Sequence, residues 1–296
     1  MKVSQGTTST RDLHQYLLGA ISPRPIALVS TISDSGLYNL APFSFFNVFS
    51  ANPPIVIFSP ANSGRSGATK NTLENLKEVP ECVINIVNYN MVNKVNIAGC
   101  PFPKGVNEFE KAGFESLPSD IVKPLRVKEA PVQMECKVKQ IIELGKEGGA
   151  GNLVIAEVVL MHIDDNILDA KKMIDPFKID LIGRMNANWY CRVNGDAIFE
   201  IPKLDSEIVV GMDCIPEYAR KNPILEDSDL IALATANGVP TENEVKDFSN
   251  ANLLSLKNLT LEKKYGTLCA QAKELIKNKR VQDAWKTLLS IHYIKD

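Results

Sequence analysis

Histidine is nearly missing from this chain of 296 residues: His14, His162 and His292 are the whole complement, and each falls in a different segment. An imidazole-based metal centre, a Ser–His–Asp triad and a Cys–His pair are therefore not expected, because no spacing here brings histidine to the partners they need. The six cysteines, Cys82, Cys100, Cys136, Cys191, Cys214 and Cys269, lie far apart and include no C-x-x-C pair. That removes the usual zinc and dithiol signatures and leaves reduced, mostly buried thiols as the expectation. No apolar run approaches the roughly 18 residues that cross a bilayer, and the opening M-K-V-S-Q-G-T-T-S-T-R-D lacks the apolar core of a secretory signal. Cytoplasmic residence without a membrane partner is the expectation. Excess charge is lacking too: the net value of −2 is spread evenly, so no basic face is announced for nucleic acid. What is present is ordinary globular composition, 45% hydrophobic and 23% charged, in a chain long enough for one large or two smaller domains. With metals and side-chain acid–base pairs unpromising, chemistry is expected to sit on a bound cofactor, and no catalytic residue is singled out.

Taken in order, Asp12 to Leu18 predicts a short helix capped by Thr10. Pro23 and Pro25 fix φ on either side of Arg24 and deliver the chain into a strand over Ile26 to Ser33. Asp34-Ser35-Gly36 signals a hairpin turn into the next strand. Asn52-Pro53-Pro54 punctuates again before Ile55 to Ser59, an apolar run suited to a sheet interior. A helix is predicted from Asn71 to about Val79, a β run over Cys82 to Asn88, and a helix from Asn90 to Ala98 ending at Gly99. The Pro- and Gly-dense segment from Cys100 to Lys128 is expected to wrap the surface. Val132 to Leu144 and Leu153 to Asp164 alternate as two long antiparallel strands, joined by the mobile tip G-K-E-G-G-A-G, Gly145 to Gly151. Beyond Ile201 an acidic, proline-spaced linker leads into a helical tail. There Leu268, Ala272, Leu275, Val281, Trp285, Leu288 and Leu289 follow the three- and four-residue steps of one apolar face.

Two stretches stand out for function. Tyr38 to Asn47, Y-N-L-A-P-F-S-F-F-N, mixes apolar bulk with the amides of Asn39 and Asn47 and the hydroxyl of Ser44. A core strand with capping amides and the wall of a planar ligand with polar edges both fit these residues. Residues 60 to 72, P-A-N-S-G-R-S-G-A-T-K-N-T, combine glycines, hydroxyls, Arg65 and Lys70 just ahead of a predicted helix N-terminus. An anion-binding loop and an ordinary solvated loop with a helix cap both fit here. The loop has neither P-loop nor dinucleotide spacing.

The run S-P-R-P-I-A-L-V-S-T (Ser22 to Thr31), Gly36, N-L-A-P-F-S-F-F-N and Asn52-Pro53-Pro54 with I-V-I-F-S resembles the flavin reductase-like family of FMN-binding split β-barrels. Similarity continues through K-N-T (Lys70 to Thr72), E-C-V-I-N (Glu81 to Asn85), E-F-E (Glu108 to Glu110), Ala130 to Cys136, and G-R-M-N-A-N-W-Y (Gly183 to Tyr190). The resemblance implies a mainly β fold: a six-stranded antiparallel Greek-key barrel over residues 1–200, with residues 201–296 as a linker and helical extension. It implies a homodimer that binds FMN, or FAD, without a covalent bond and takes electrons from NAD(P)H, with a redox partner protein as a further candidate acceptor. Ser44, Phe45, Phe46 and Asn47 are then expected at the ribityl chain and ring edge, beside Asn39, Ala41, Pro42, Phe43 and Ser59. Ser30 and Thr31 would line the adjoining strand. Lys70 and Thr72, with Arg65, would hold the phosphate, although Asn71 stands where members commonly carry Asp. Arg184, Trp189 and Tyr190 would cover the ring or close the site; as plain structure, Trp189 and Tyr190 would instead plug the barrel. Two other readings stay open, a flavin electron carrier without NAD(P)H activity and a flavin-free enzyme of aromatic-acid metabolism.

Overall fold

Ala27–Ile32 is buried along nearly its whole length, and its side chains alternate between two apolar layers, with Ala27 and Val29 in one and Leu28 in the other. Such a strand belongs inside a sheet with both faces covered. The computed structural model describes residues 1–64, 66–201 and 210–294. It falls into two compact units, Met1–Phe199 and Glu200–Asp296.

In the first unit, helix α1 (Thr10–Ala20) starts two residues earlier than its pattern predicts. Ser9 is the cap: its hydroxyl accepts from the Asp12 N–H at 3.1 Å and donates to the Asp12 carboxylate at 2.7 Å. Strands β1 (Ala27–Ile32), β2 (Tyr38–Phe43), β3 (Phe46–Ala51) and β4 (Pro54–Phe58) follow, then α2 (Asn71–Glu78), β5 (Glu81–Ile86), α3 (Val92–Ala98) and α4 (Glu108–Ala112). Two short strands, β6 (Ser116–Leu117) and β7 (Arg126–Val127), pair with each other ahead of the long hairpin β8 (Val132–Glu143) and β9 (Asn152–Ile163). A last small hairpin joins β10 (Ile182–Arg184) to β11 (Tyr190–Arg192). The β1–β2 turn closes as its residues demand, with Gly36 at φ +85° and the Ser33 N–H on the Leu37 carbonyl at 2.9 Å.

Seven strands form one antiparallel sheet in the order β2-β1-β5-β8-β9-β4-β3. Its two outer strands are consecutive in sequence, joined only by Ser44 and Phe45. The three Cα steps from Phe43 to Phe46 span at most about 11 Å, so the sheet has to curl until its edges come together. Because β2 and β3 do not pair with each other, the barrel stays split along that line. The count is seven rather than six because the stretch that reads as one strand, Tyr38 to Asn47, breaks at Ser44 into two strands on opposite edges.

The second unit packs α5 (Glu217–Arg220), α6 (Asp227–Ala234), α7 (Glu242–Asn252), α8 (Leu261–Lys277), α9 (Val281–Leu289) and α10 (Ile291–Ile294). Capping boxes start α6 at Glu226 and Asp229 and α7 at Thr241 and Glu244. Trp285 is fully buried among Leu233, Ala272 and Leu288, and its indole N–H donates to the Leu233 carbonyl at 3.0 Å. The single apolar face expected over 268–289 is instead carried by two helices. The chain breaks at Asn278–Arg280, where Lys279 takes φ +60°. The predicted linker after Ile201 lies largely outside the described residues.

Candidate functional site

The β2–β3 crossing leaves a cleft of about 380 Å³ in the first unit, walled by Ala41, Pro42, Phe43, Ser44 and Phe45. Four other segments complete it. Ser59 and Ala61 follow β4, Lys70, Asn71 and Thr72 open α2, Gly99 to Phe102 follow α3, and Glu108 comes from α4. His14 and Leu18 on α1, then Arg24, Arg184 and Ala187, close the other end. Phe43 packs on Phe58 with ring centroids 5.5 Å apart, and Phe45 meets the edge of His14 at 6.1 Å. The wall therefore presents ring edges and backbone together, as a planar ligand with polar rims requires.

Ten of the sequence-predicted residues meet at this cleft: Asn39, Ala41, Pro42, Phe43, Ser44, Phe45, Ser59, Lys70, Thr72 and Arg184. Ser30 and Thr31 do not. Both are fully buried within β1, where the Ser30 hydroxyl donates to the Leu125 carbonyl and the Thr31 hydroxyl accepts from Asn75 at 3.1 Å. A strand covered on both faces uses its hydroxyls inside. Phe46 packs on the barrel core, and Asn47, next along an edge strand, alternates out to solvent with its side-chain Oδ1 accepting from the Val48 N–H at 2.8 Å. Tyr190 lines only a smaller neighbouring recess. Trp189 is 75% exposed and plugs nothing. Arg65 lies outside the described residues. Cys82, Cys136 and Cys269 are buried, whereas Cys100 and Cys214 are exposed.

Sequence reasoning missed two charged residues. Glu108 is 3% exposed and accepts from the Asn39 amide and the Leu40 N–H, both at 2.9 Å. Asn39 in turn accepts from the Thr72 hydroxyl at 2.7 Å. The chain Thr72→Asn39→Glu108 fixes the Asn39 amide and commits the Thr72 hydroxyl proton inward. Burial pushes the Glu108 carboxyl above the usual range, against the lowering effect of the Leu40 and Asn39 bonds. The E-F-E run is visible in the sequence, but nothing local says that its first Glu is buried. Arg24, 6% exposed, donates to the Leu18 and Ile21 carbonyls at 2.7 Å and to Met185 at 3.0 Å. The only advance signal was a cation between two prolines at the mouth of an apolar strand.

The start of α2 favours an anion. Its cap, Lys70, makes no side-chain cap bond, and the Asn71 and Thr72 amides are among the orphan donors of the first turn. Asn152 and Asn62 hold the neighbouring loop: the Asn152 N–H donates to the Ser59 hydroxyl at 3.1 Å and its side chain to the Pro60 carbonyl at 2.8 Å. The Gly-rich hairpin tip is latched to the same loop, with the Gly149 N–H on the Asn62 carbonyl at 3.0 Å.

A second cluster lies apart from the cleft. Asp120, Glu135 and His162 bring one ligand-type atom each within 4.8 Å of the others. Glu135 is already saturated: it accepts from the Asp120, Ile121 and Val122 N–H groups at 2.8, 2.7 and 3.0 Å and contacts His162 Nε2 at 2.7 Å. This is a clasp on the β6–β7 segment.

A split barrel with a cleft of cofactor size at its seam is the class of fold that the structure defines. The model of the flavin reductase like domain matches residues 19–177, and the chain belongs to that family. An uncharacterized protein of Aquifex aeolicus (strain VF5) is 36% identical over 189 residues, covering 64% of this chain and 94% of its own. Among solved structures, nitrilotriacetate monooxygenase component B from Bacillus cereus superposes with a TM-score of 0.63 at 29% identity, over 68% of this chain and 98% of that one. A flavin-reductase candidate with a split barrel domain from Shewanella frigidimarina NCIMB 400 gives 0.58 at 23% identity, over 69% and 99%, and speaks to the fold alone.

Proposed function

We propose that the cleft binds FMN without a covalent bond and that the chain is an NAD(P)H-dependent flavin reductase. The observation that carries this reading is that the uncapped first turn of α2, with Lys70, faces the same cleft as the aromatic β2–β3 crossing. Lys70 and the Asn71 and Thr72 amides would hold a phosphate. Ala41 to Phe45 would lie along the ring and Ser59 at its polar rim. A volume of about 380 Å³ falls within the range of cofactor sites. A bound flavin supplies hydride acceptance and electron release; the chain supplies binding, orientation and positive charge near the ring. We take residues 1–200 as the functional domain, residues 201–296 as an extension, the cytoplasm as the location and a homodimer as the assembly. Exposed Val48 and Phe49 on edge strand β3 favour a second copy there.

The visible spectrum of purified protein, before and after adding FMN and removing the excess, tests the cofactor; the same titration with FAD separates the two flavins. Flavin bands near one equivalent per chain are expected, together with NADH or NADPH oxidation that depends on the flavin. Lys70→Ala should weaken FMN by about 1.5–3 kcal/mol, the range for losing a bond to a charged group. A colourless protein that refuses added flavin removes this reading.

A further inference from the structure

Arg24 and Arg184 face each other across an antiparallel bridge, with the Arg24 N–H on the Arg184 carbonyl at 3.0 Å and the reverse bond at 2.8 Å. Directly opposed residues of such a pair project to one face. Two guanidinium groups are thus brought together. Arg24 is 6% exposed and bonds only neutral acceptors: three backbone carbonyls and, at 3.4 Å, the Ser44 hydroxyl. Arg184 donates to the Ala187 carbonyl and lies 4.5 Å above the Tyr190 ring. Among the described residues neither forms an ion pair. Glu108, the single acid among the described residues of the cleft, is committed to Asn39 and Leu40. Burial, and then the charge of Arg184, hold Arg24 below its ordinary value. Two like charges kept this way cost free energy that a bound anion would recover.

Arg184 also opens onto the second recess, of about 200 Å³, which shares Pro42, Phe43 and Ser44 with the cleft and adds Ile26, Val95 and Tyr190 as apolar lining. Ligands of drug size need about 300 Å³ or more, so this space suits a single ring and excludes a dinucleotide. The anion should carry one negative charge, because the Leu18 carbonyl in the last turn of α1 and the Ile21 carbonyl just past it already offset Arg24 at this end. A phosphate dianion is better matched by the start of α2. Arginine's planar fork suits a carboxylate in particular.

We propose that Arg184, backed by Arg24, and the recess beside Tyr190 bind the carboxylate of a small organic acid with a flat apolar body. The flavin reading enters only in what lies across the shared Pro42–Ser44 wall; binding of the acid can be measured without it.

Calorimetry on the full chain at neutral pH, without flavin, would titrate sodium benzoate, its neutral counterpart benzamide, and inorganic phosphate. Benzoate should saturate, with benzamide weaker by about tenfold or more, and with phosphate weaker by a similar factor in Lys70→Ala, which weakens the separate anion site at α2. Arg184→Met should lose benzoate by a similar factor, and Arg184→Lys by less, because the charge stays while the fork goes. Lys70→Ala should keep benzoate and lose FMN. Equal binding of benzoate and benzamide, or unchanged benzoate binding in Arg184→Met, would overturn the proposal. So would phosphate binding tighter than benzoate in Lys70→Ala, where the α2 anion site is weakened, since that assigns Arg184 to a phosphate group. Should Arg184→Met not fold, benzoate and benzamide on the parent and Arg184→Lys, with phosphate on Lys70→Ala, decide. Benzoate binding in a protein that refuses FMN would remove the flavin reading and leave this one standing.

Discussion

Glu108 shows what a single residue can carry that its neighbours do not announce. Its carboxyl orders Asn39, and through it Thr72, while pinning the Leu40 N–H of an edge strand. Because burial raises its folded value above the ordinary one near 4.3, the stability it contributes is fully present below that ordinary value. The contribution is lost as pH rises through the folded one. The stability of the parent relative to Glu108→Gln, from urea unfolding between about pH 4 and pH 8, should therefore fall with rising pH. A difference that stays flat or grows would mean that the hydrogen bonds outweigh burial. Arg24 belongs to the same lesson. Both residues are legible as charges in the sequence, and neither is legible as buried, because that is decided by segments tens of residues away.

At the scale of elements, local signals served where the elements are local. Alternation and the Gly-rich turn mark the β8–β9 hairpin, and Asp34-Ser35-Gly36 marks the turn between β1 and β2. They failed where closure of the barrel decides. Nothing between Tyr38 and Asn47 signals that the strand ends at Phe43 and resumes at Phe46 on the far edge; that break follows from joining the two ends of a seven-strand order. Phe46 and Asn47 fall outside the cleft for the same reason, since which face of an edge strand looks into it depends on the curl, whereas Ser30 and Thr31 stay inside because β1 is covered on both faces. The Glu135 clasp is a tertiary device of this kind. Burial would raise its carboxyl, but the Asp120 N–H, His162 and the Ile121 and Val122 N–H groups outweigh it and hold it below the usual range. A lowered value contributes stability above the ordinary range, and that stability is lost as pH falls through the folded value. Glu135→Gln should cost about 1.5–3 kcal/mol at neutral pH, and the cost should shrink in acid below about pH 4. A constant cost across that range would show that the charge is not what the clasp uses.

For the whole molecule, the division of labour between the two units is the open physical claim. The family match ends at residue 177, while the helical unit builds a core of its own around Trp285, with Ile215, Leu233, Cys269, Ala272 and Leu288. Tyr218 stacks on Tyr265 at 4.2 Å and donates to the Leu288 carbonyl at 2.7 Å, tying α5 to α8 and α9. The periodicity of α8 and α9 is legible in the sequence; their separation shows there only as the six-residue step from Leu275 to Val281, and nothing local marks Lys279 as the left-handed residue that makes the break. If FMN is held entirely by the first unit, damage to the Trp285 core should leave flavin binding intact. Trp285→Ala removes a fully buried indole and its bond to Leu233, a loss of about 3–5 kcal/mol in comparable cores. The helical transition followed by circular dichroism should move to lower temperature, with FMN affinity and the bound-flavin spectrum as in the parent. Loss of the spectrum from protein that keeps its β signal would mean that the extension takes part in holding the cofactor.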